Sequence, residues 1–252
     1  MQLSEQSRSK RAFTAAHIDS PRLDLKQLPL YEDSETALFK THYYGGIKKY
    51  QWAAIPLALH GVIIKKDGTK VTVAIGEDES DPVFCVTDLL PHLATDQMKR
   101  TPGELIKGEE LNILIGSMPF KDDDVSEKVK LNIISILNEK YGIIEEDFLS
   151  AELEAVPAFK AKDVGFDRSM VGAYGHDDKV CAYTALKAIL DCTSVKKTSV
   201  VVLTDKEETG SDGNTGLCSD YLEHFFYNLA DSFGANGRTV IANTECLSAD
   251  VN

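Results

Sequence analysis

Residues 198–205, TSVVVLTD, are a nearly unbroken apolar run closed by polar residues. A strand this uniformly apolar needs cover on both faces, the habit of strands in parallel sheets layered with helices. The surrounding segments suit that arrangement. Val180, Tyr183, Leu186 and Leu190 recur at helical spacing after Gly175-His176-Asp177-Asp178, and residues 215–230 suit another helix. RTVIANT, 238–244, reads as a second buried strand, and RAFTAAH, 11–17, as a short one far upstream. Strand–helix–strand–helix–strand implies right-handed crossovers and a largely parallel sheet.

The stretch between has a different texture. WAAIPLALHGVII (52–64) and KVTVAI (70–75) flank Lys66-Asp67-Gly68-Thr69, a hairpin turn signal. LNILIG (111–116) reads as a further strand, and residues 126–141 carry apolar side chains at helical spacing. The expected architecture is α/β: a mostly parallel sheet with flanking helices, formed by residues 1–43 and 151–252, plus an inserted β-rich domain at 44–150. At 252 residues, with 43% apolar and 27% charged, the chain can bury cores of that size.

Composition excludes several function classes. A formal charge of −13 repels phosphate backbones, which argues against nucleic acid as a partner. No run approaches the roughly 20 apolar residues that cross a bilayer, and MQLSEQSRSKRAF lacks the apolar core of a secretory leader. Cysteines 85, 181, 192, 218 and 246 are scattered without a C-x-x-C pair, as expected of reduced thiols in the cytoplasm.

In open α/β sheets, ligands bind beyond the carboxyl ends of the strands. The acidic and histidine clusters fall there. His17 and Asp19 follow the first strand, Asp177 and Asp178 start a helix, Glu207 and Glu208 follow TSVVVLTD, and Asp250 follows the last strand. One nitrogen donor among several carboxylates suits zinc, manganese or cobalt. Gathered without a cation, these carboxylates would repel. Two divalent ions bridged by one carboxylate would relieve that repulsion and create a hydrolytic centre. Each motif alone is ordinary surface chemistry; the signal is their convergence on one sheet edge.

HIDSPRLDLK, GHDDKVCAYTAL, TDKEETGS and LSAD, in this order, resemble the aminopeptidase I / aspartyl aminopeptidase family of zinc metallopeptidases. The resemblance implies a zinc exopeptidase-like catalytic domain with an inserted oligomerisation domain, peptide substrates cleaved at the N-terminus, and homo-oligomers, typically dodecamers. It implies His17 and Asp250 as ligands of one zinc, Glu208 of a second, and Asp177 as the carboxylate bridging both. Asp19 would hold the other ring nitrogen of His17 through its side chain, and the Asp177–Asp178 peptide would be cis. Glu207 would be the general base toward water and then the acid toward the leaving amine. His60, in IPLALHG, would reach a neighbouring subunit's active site; read without the resemblance, it is a strand histidine satisfied by local hydrogen bonds.

The family's last zinc ligand, a downstream histidine, has no counterpart among these residues. With the chain ending at 252, the expectation is one competent and one weak metal site and little peptidase activity. Two alternatives remain: a zinc amidohydrolase on the same metal scaffold, which the SPRLDLK segment argues against, and a non-catalytic homologue acting in assembly.

Overall fold

The computed structural model describes residues 11–122, 124–194 and 197–251. Most of the stretch read for a leader, residues 1–10, lies outside them. The chain divides into two compact units, the first Met1–Ser20 with Gly175–Asn252 and the second Pro21–Tyr174.

The first unit begins with β1 (Arg11–His17). The chain then enters the second unit through β2 (Arg22–Asp33), β3 (Thr36–Tyr44), β4 (Leu57–Ile64), β5 (Lys70–Ile75), β6 (Cys85–Val86) and β7 (Ile113–Gly116). Helix α1 (Lys128–Tyr141) follows, then β8 (Ala151–Pro157) and the short strands β9 (Lys162–Val164) and β10 (Met170–Gly172). Back in the first unit come α2 (His176–Leu190), β11 (Ser199–Thr204), α3 (Tyr221–Ser232), α4 (Gly237–Ala242) and β12 (Thr244–Ser248).

In the second unit, seven strands form one sheet in the order β5-β4-β8-β2-β3-β7-β6, every pairing antiparallel. The expected hairpin is there. Gly68, at φ +84°, donates its N–H to the Lys65 carbonyl, and the Asp67 carboxylate accepts from Thr69 N–H at 2.9 Å. Leu23, Leu57, Ile63, Leu111, Ile113 and Ile143 are fully buried, and α1 adds Val129 to the same core. Strands β9 and β10 form a separate antiparallel pair.

The first unit is built on a three-stranded parallel sheet, β11-β1-β12. Phe13 and Ala15 of β1 pack on Phe226 of α3, and the Phe13 and Phe226 rings meet edge-on at 5.7 Å. The register aligns His17 with Thr204 and Ala15 with Ser248. All three strands therefore deliver their carboxyl ends to one edge.

The expected architecture changes in several places. Among the described strands, parallel ladders occur in this small sheet and the others pair antiparallel, so a mostly parallel sheet is not what the chain as a whole builds. The units divide near residues 20 and 174, unlike the expected 43/44 and 150/151. The reason is the β2–β3 hairpin, whose turn residues Ser34 and Glu35 sit at φ +49° and +57° without the Asn or Gly that advertises such a turn. Strand β8 likewise lies between β4 and β2, inside the larger sheet. The expected strand 238–244 is a correction: Asn236 accepts from Thr239 N–H at 3.0 Å, capping α4, and the strand follows at Thr244–Ser248. A short apolar run such as VIA fits either state by periodicity. Strand β11 is half-buried, in contrast to the expected burial on both faces.

Candidate metal centre

His17 ends β1 with its imidazole only 3% exposed. Its two ring nitrogens face different partners. Nδ1 lies 3.0 Å from the Asp19 carbonyl oxygen and 3.3 Å from Asp19 Oδ1. Nε2 lies 3.1 Å from Asp177 Oδ1 and 3.7 Å from both Glu207 Oε2 and Asp250 Oδ1. The Asp177 and Asp250 side chains are each 56% exposed, so the buried ring looks out through an open rim of carboxylates.

Each carboxylate is delivered by a local device. Ser248 pairs with Ala15, and Ala249 N–H extends the contact to the Ala15 carbonyl at 2.9 Å, setting Asp250 just beyond. Asp19, 5% exposed, turns its carboxylate onto the chain after β11, accepting Glu207 N–H and Glu208 N–H at 3.2 Å each. Lys206, at φ +67°, makes the bend that presents those amides. Asp177 and Asp178 have non-helical backbone angles at the head of α2, and the peptide between them is cis. Asp178 is fully buried; its Oδ2 accepts the His17 backbone N–H at 3.4 Å, while Oδ1 has no hydrogen-bond partner among the described residues.

The charges perturb one another. Burial opposes the His17 imidazolium, but the Asp19 carbonyl and the carboxylates of Asp19, Glu207 and Asp178 outweigh it and raise the His17 pKa. Glu208 is also raised, first by burial and then by the Asp177 charge, with His17 pulling the other way. The Cys181 thiol is pushed up to about 11 by its hydrogen bond to Asp178, by burial and by the neighbouring carboxylates.

These residues fit a divalent cation. The ligating atoms of His17, Asp177 and Asp250 all lie within 4.8 Å of one another. Tetrahedral zinc, with bonds of about 2.0–2.2 Å, sets its ligand atoms about 3.4 Å apart, and the 3.1 and 3.7 Å contacts at Nε2 straddle that value. The protonation pattern agrees. Both ring nitrogens face acceptors, which a neutral imidazole cannot satisfy; a cation at Nε2 meets the same carboxylates that otherwise hold a proton there.

His17, Asp19, Asp177, Glu207 and Asp250 thus come together, and Glu208 is tied in through its amide and its charge. Asp19 reaches the imidazole more closely through its carbonyl than through its expected carboxylate. His60 lies on β4 of the other unit, its Nε2 2.8 Å from Glu77 Oε1. Sequence reasoning passed over Ser20, gave Asp178 no part of its own, and used Lys179 only as a letter of a motif. Their sole signal was adjacency to the chosen residues in HIDS and HDDK. Among the described residues, no helix is long and apolar enough to cross a membrane.

Residues 4–252 match the family described as "Aminopeptidase I zinc metalloprotease (M18)". The chain is 57% identical over 241 residues to a probable M18 family aminopeptidase 1 of Clostridium acetobutylicum, covering 94% of this chain and 52% of that protein. It superposes on the crystal structure of an M18 family aminopeptidase from Thermotoga maritima with a TM-score of 0.92 at 48% identity, covering 98% of this chain and 55% of that one. A neighbour in fold alone, at 21% identity and TM-score 0.70, is the S. cerevisiae mApe1 dodecamer; the match covers 98% of this chain and 56% of that one. The chain spans about half the length of the relatives it matches.

Proposed function

The chain belongs to the aminopeptidase I zinc metalloprotease family, and from that premise we propose that it hydrolyses N-terminal amino acids from peptides at the His17 cluster. One observation carries this reading: His17, Asp177 and Asp250, from three distant parts of the sequence, bring ligating atoms within 4.8 Å of one another at the carboxyl edge of a parallel sheet. In the proposal these three hold one divalent ion, preferably zinc with manganese or cobalt as substitutes, and Asp177 with Glu208 serve a second. The donor set of one imidazole and several carboxylates supports those metals. When bound, such ions polarise a peptide carbonyl and lower the pKa of water.

The remaining work belongs to the protein. Asp19 and the His17 backbone contacts fix the ring so that Nε2 faces the rim. Glu207 Oε2, 3.7 Å from Nε2 and 46% exposed, stands where it can take a proton from water and return it to the departing amine. Surplus carboxylates at an open rim suit the charged α-amine of a peptide N-terminus. We further propose that the first unit is the catalytic domain and the second an inserted domain serving a cytoplasmic homo-oligomer, with His60 offered to a neighbouring subunit. The mApe1 dodecamer supports assembly by analogy of fold.

Titration of the chelated protein with Zn²⁺ by calorimetry tests the centre. Binding is expected, and His17→Ala or Asp250→Ala should weaken it by more than the roughly 10–100-fold typical of supporting residues. Absence of binding, or indifference to both substitutions, would overturn the reading.

A further inference from the structure

Two segments meet behind the carboxylate rim, residues 17–20 and 175–179, and a directional chain of hydrogen bonds joins them. Ser20 Oγ donates to the Asp177 carbonyl at 3.0 Å and accepts from Lys179 Nζ at 2.9 Å. A serine hydroxyl has one proton and turns freely to suit its partners. With an ammonium group at its oxygen, that proton is driven away from the cation and onto the Asp177 carbonyl. Charge-assisted donation at one end strengthens the next bond along.

The surroundings are built for this chain. Ser20 is buried, at 5% exposure. Gly175, at φ +81°, leaves the room: a Cβ there would stand 3.0 Å from Lys179 Nζ and 3.3 Å from Ser20 Oγ. The same segments are tied a second time where His17 N–H meets Asp178 Oδ2 at 3.4 Å. The Asp177 peptide is therefore gripped by its carbonyl, while its carboxylate is left facing His17 Nε2 at 3.1 Å.

We propose that Ser20 and Lys179 are positioning residues of the metal centre, a Lys179–Ser20–Asp177 relay that holds the Asp177 peptide so that its carboxylate meets His17. This rests on the reading of His17, Asp177 and Asp250 as metal ligands. The relay acts through Asp177 and does not itself ligate.

The test is metal binding by the full chain, chelated and then titrated with Zn²⁺ by calorimetry and with Co²⁺ by visible absorption. Ser20→Ala and Lys179→Met should each weaken Zn²⁺ binding about 10–100-fold and alter the Co²⁺ spectrum. Lys179→Arg, which keeps a cationic donor, should restore much of the affinity. The double variant should bind little worse than Ser20→Ala, because the lysine works through the hydroxyl. Lys179 is exposed, so its variants keep the test open even where Ser20→Ala folds poorly. Unchanged affinity and spectrum in both single variants would overturn the relay, as would a loss of thermal stability with metal binding intact. If the unsubstituted chain binds no Zn²⁺, the ligand reading falls, and the relay with it.

Discussion

Asp19→Ala should destabilise the metal-free protein by about 3 kcal/mol. The buried carboxylate accepts two backbone amides, Glu207 N–H and Glu208 N–H, at 3.2 Å each. A hydrogen bond to a charged group contributes about 1.5–3 kcal/mol. Both contacts sit at the long end of the N–H···O range, so the lower bound applies to each. Loss of the Oδ1 contact to His17 Nδ1 adds little, because the Asp19 carbonyl at 3.0 Å persists. Asp19→Asn gives the decisive comparison. Its single side-chain oxygen can keep one amide, while its NH₂ group faces the other donor, so the loss should be about half that of the alanine variant. Urea denaturation in the presence of a chelator, read by circular dichroism, measures both; hydrogen exchange at the Glu207 and Glu208 amides locates the effect. A loss below about 1 kcal/mol in Asp19→Ala, or an asparagine variant as damaged as the alanine one, would show that the carboxylate does not hold this bend.

Three further outcomes follow from the same geometry. Glu207→Gln should leave Zn²⁺ binding near that of the unsubstituted chain while lowering the proposed aminopeptidase turnover about 10²–10⁴-fold; hydrolysis of aminoacyl anilides undiminished from the parent's rate would remove Glu207 from the proposed chemistry. His17 and Glu208 are both raised, so the metal-free fold holds more protons than the unfolded chain, and its stability should fall as pH rises from about 5 through the raised His17 value. Carboxylates held low, such as Asp81 by the Gly76 amide, are already ionised across that window. Thermal melts of chelated protein between about pH 5 and 8 read this trend, and calorimetry in buffers of different ionisation enthalpy should show Zn²⁺ binding releasing protons; melting temperatures that climb across the window would contradict it. In the second unit, Gly61→Ala places a Cβ 2.0 Å from the Glu152 carbonyl oxygen at φ +138°. Overpacking and backbone strain together should cost about 2–6 kcal/mol by urea denaturation, and a variant as stable as the parent would refute the close β4–β8 approach.

Much of the site was legible because its logic is topological. Strands announced by short, largely apolar runs, RAFTAAH and the β-branched TSVVVLTD, end in polar clusters, and parallel pairing forces those ends to one edge. What escaped depends on signals weaker than periodicity. The β2–β3 hairpin turns on Ser34 and Glu35, residues that rarely mark a left-handed turn, so nothing in the sequence announced a break near residue 20. Helix α4 is too short for its apolar spacing to outweigh the β-branched Thr239, Val240 and Ile241. Ser20 and Lys179 were illegible for another reason: a hydroxyl and an ammonium have many uses at a surface, and only the approach of residues 17–20 to 175–179 gives them one.

The register of β1 also explains how a modest core can hold the proposed metal site. Side chains alternate along a strand, so His17 shares its face with Phe13 and Ala15, the residues that pack on Phe226. A slip of one residue against β11 or β12 would turn His17 away from the carboxylates and pull Phe13 from its core in the same movement. Hydrophobic packing thereby fixes the direction of the imidazole. The electrostatic cost of the arrangement falls on the rim, where Asp177, Glu207 and Asp250 crowd one ring nitrogen. Like charges about 4 Å apart repel by roughly 1 kcal/mol in water and about 4 kcal/mol at the lower effective dielectric near a protein surface. One imidazole proton offsets only part of that repulsion, and a divalent cation offsets more. The core holds the imidazole and carboxylates in place against the repulsion at the rim, and the unrelieved part of that repulsion favours the proposed cation at Nε2.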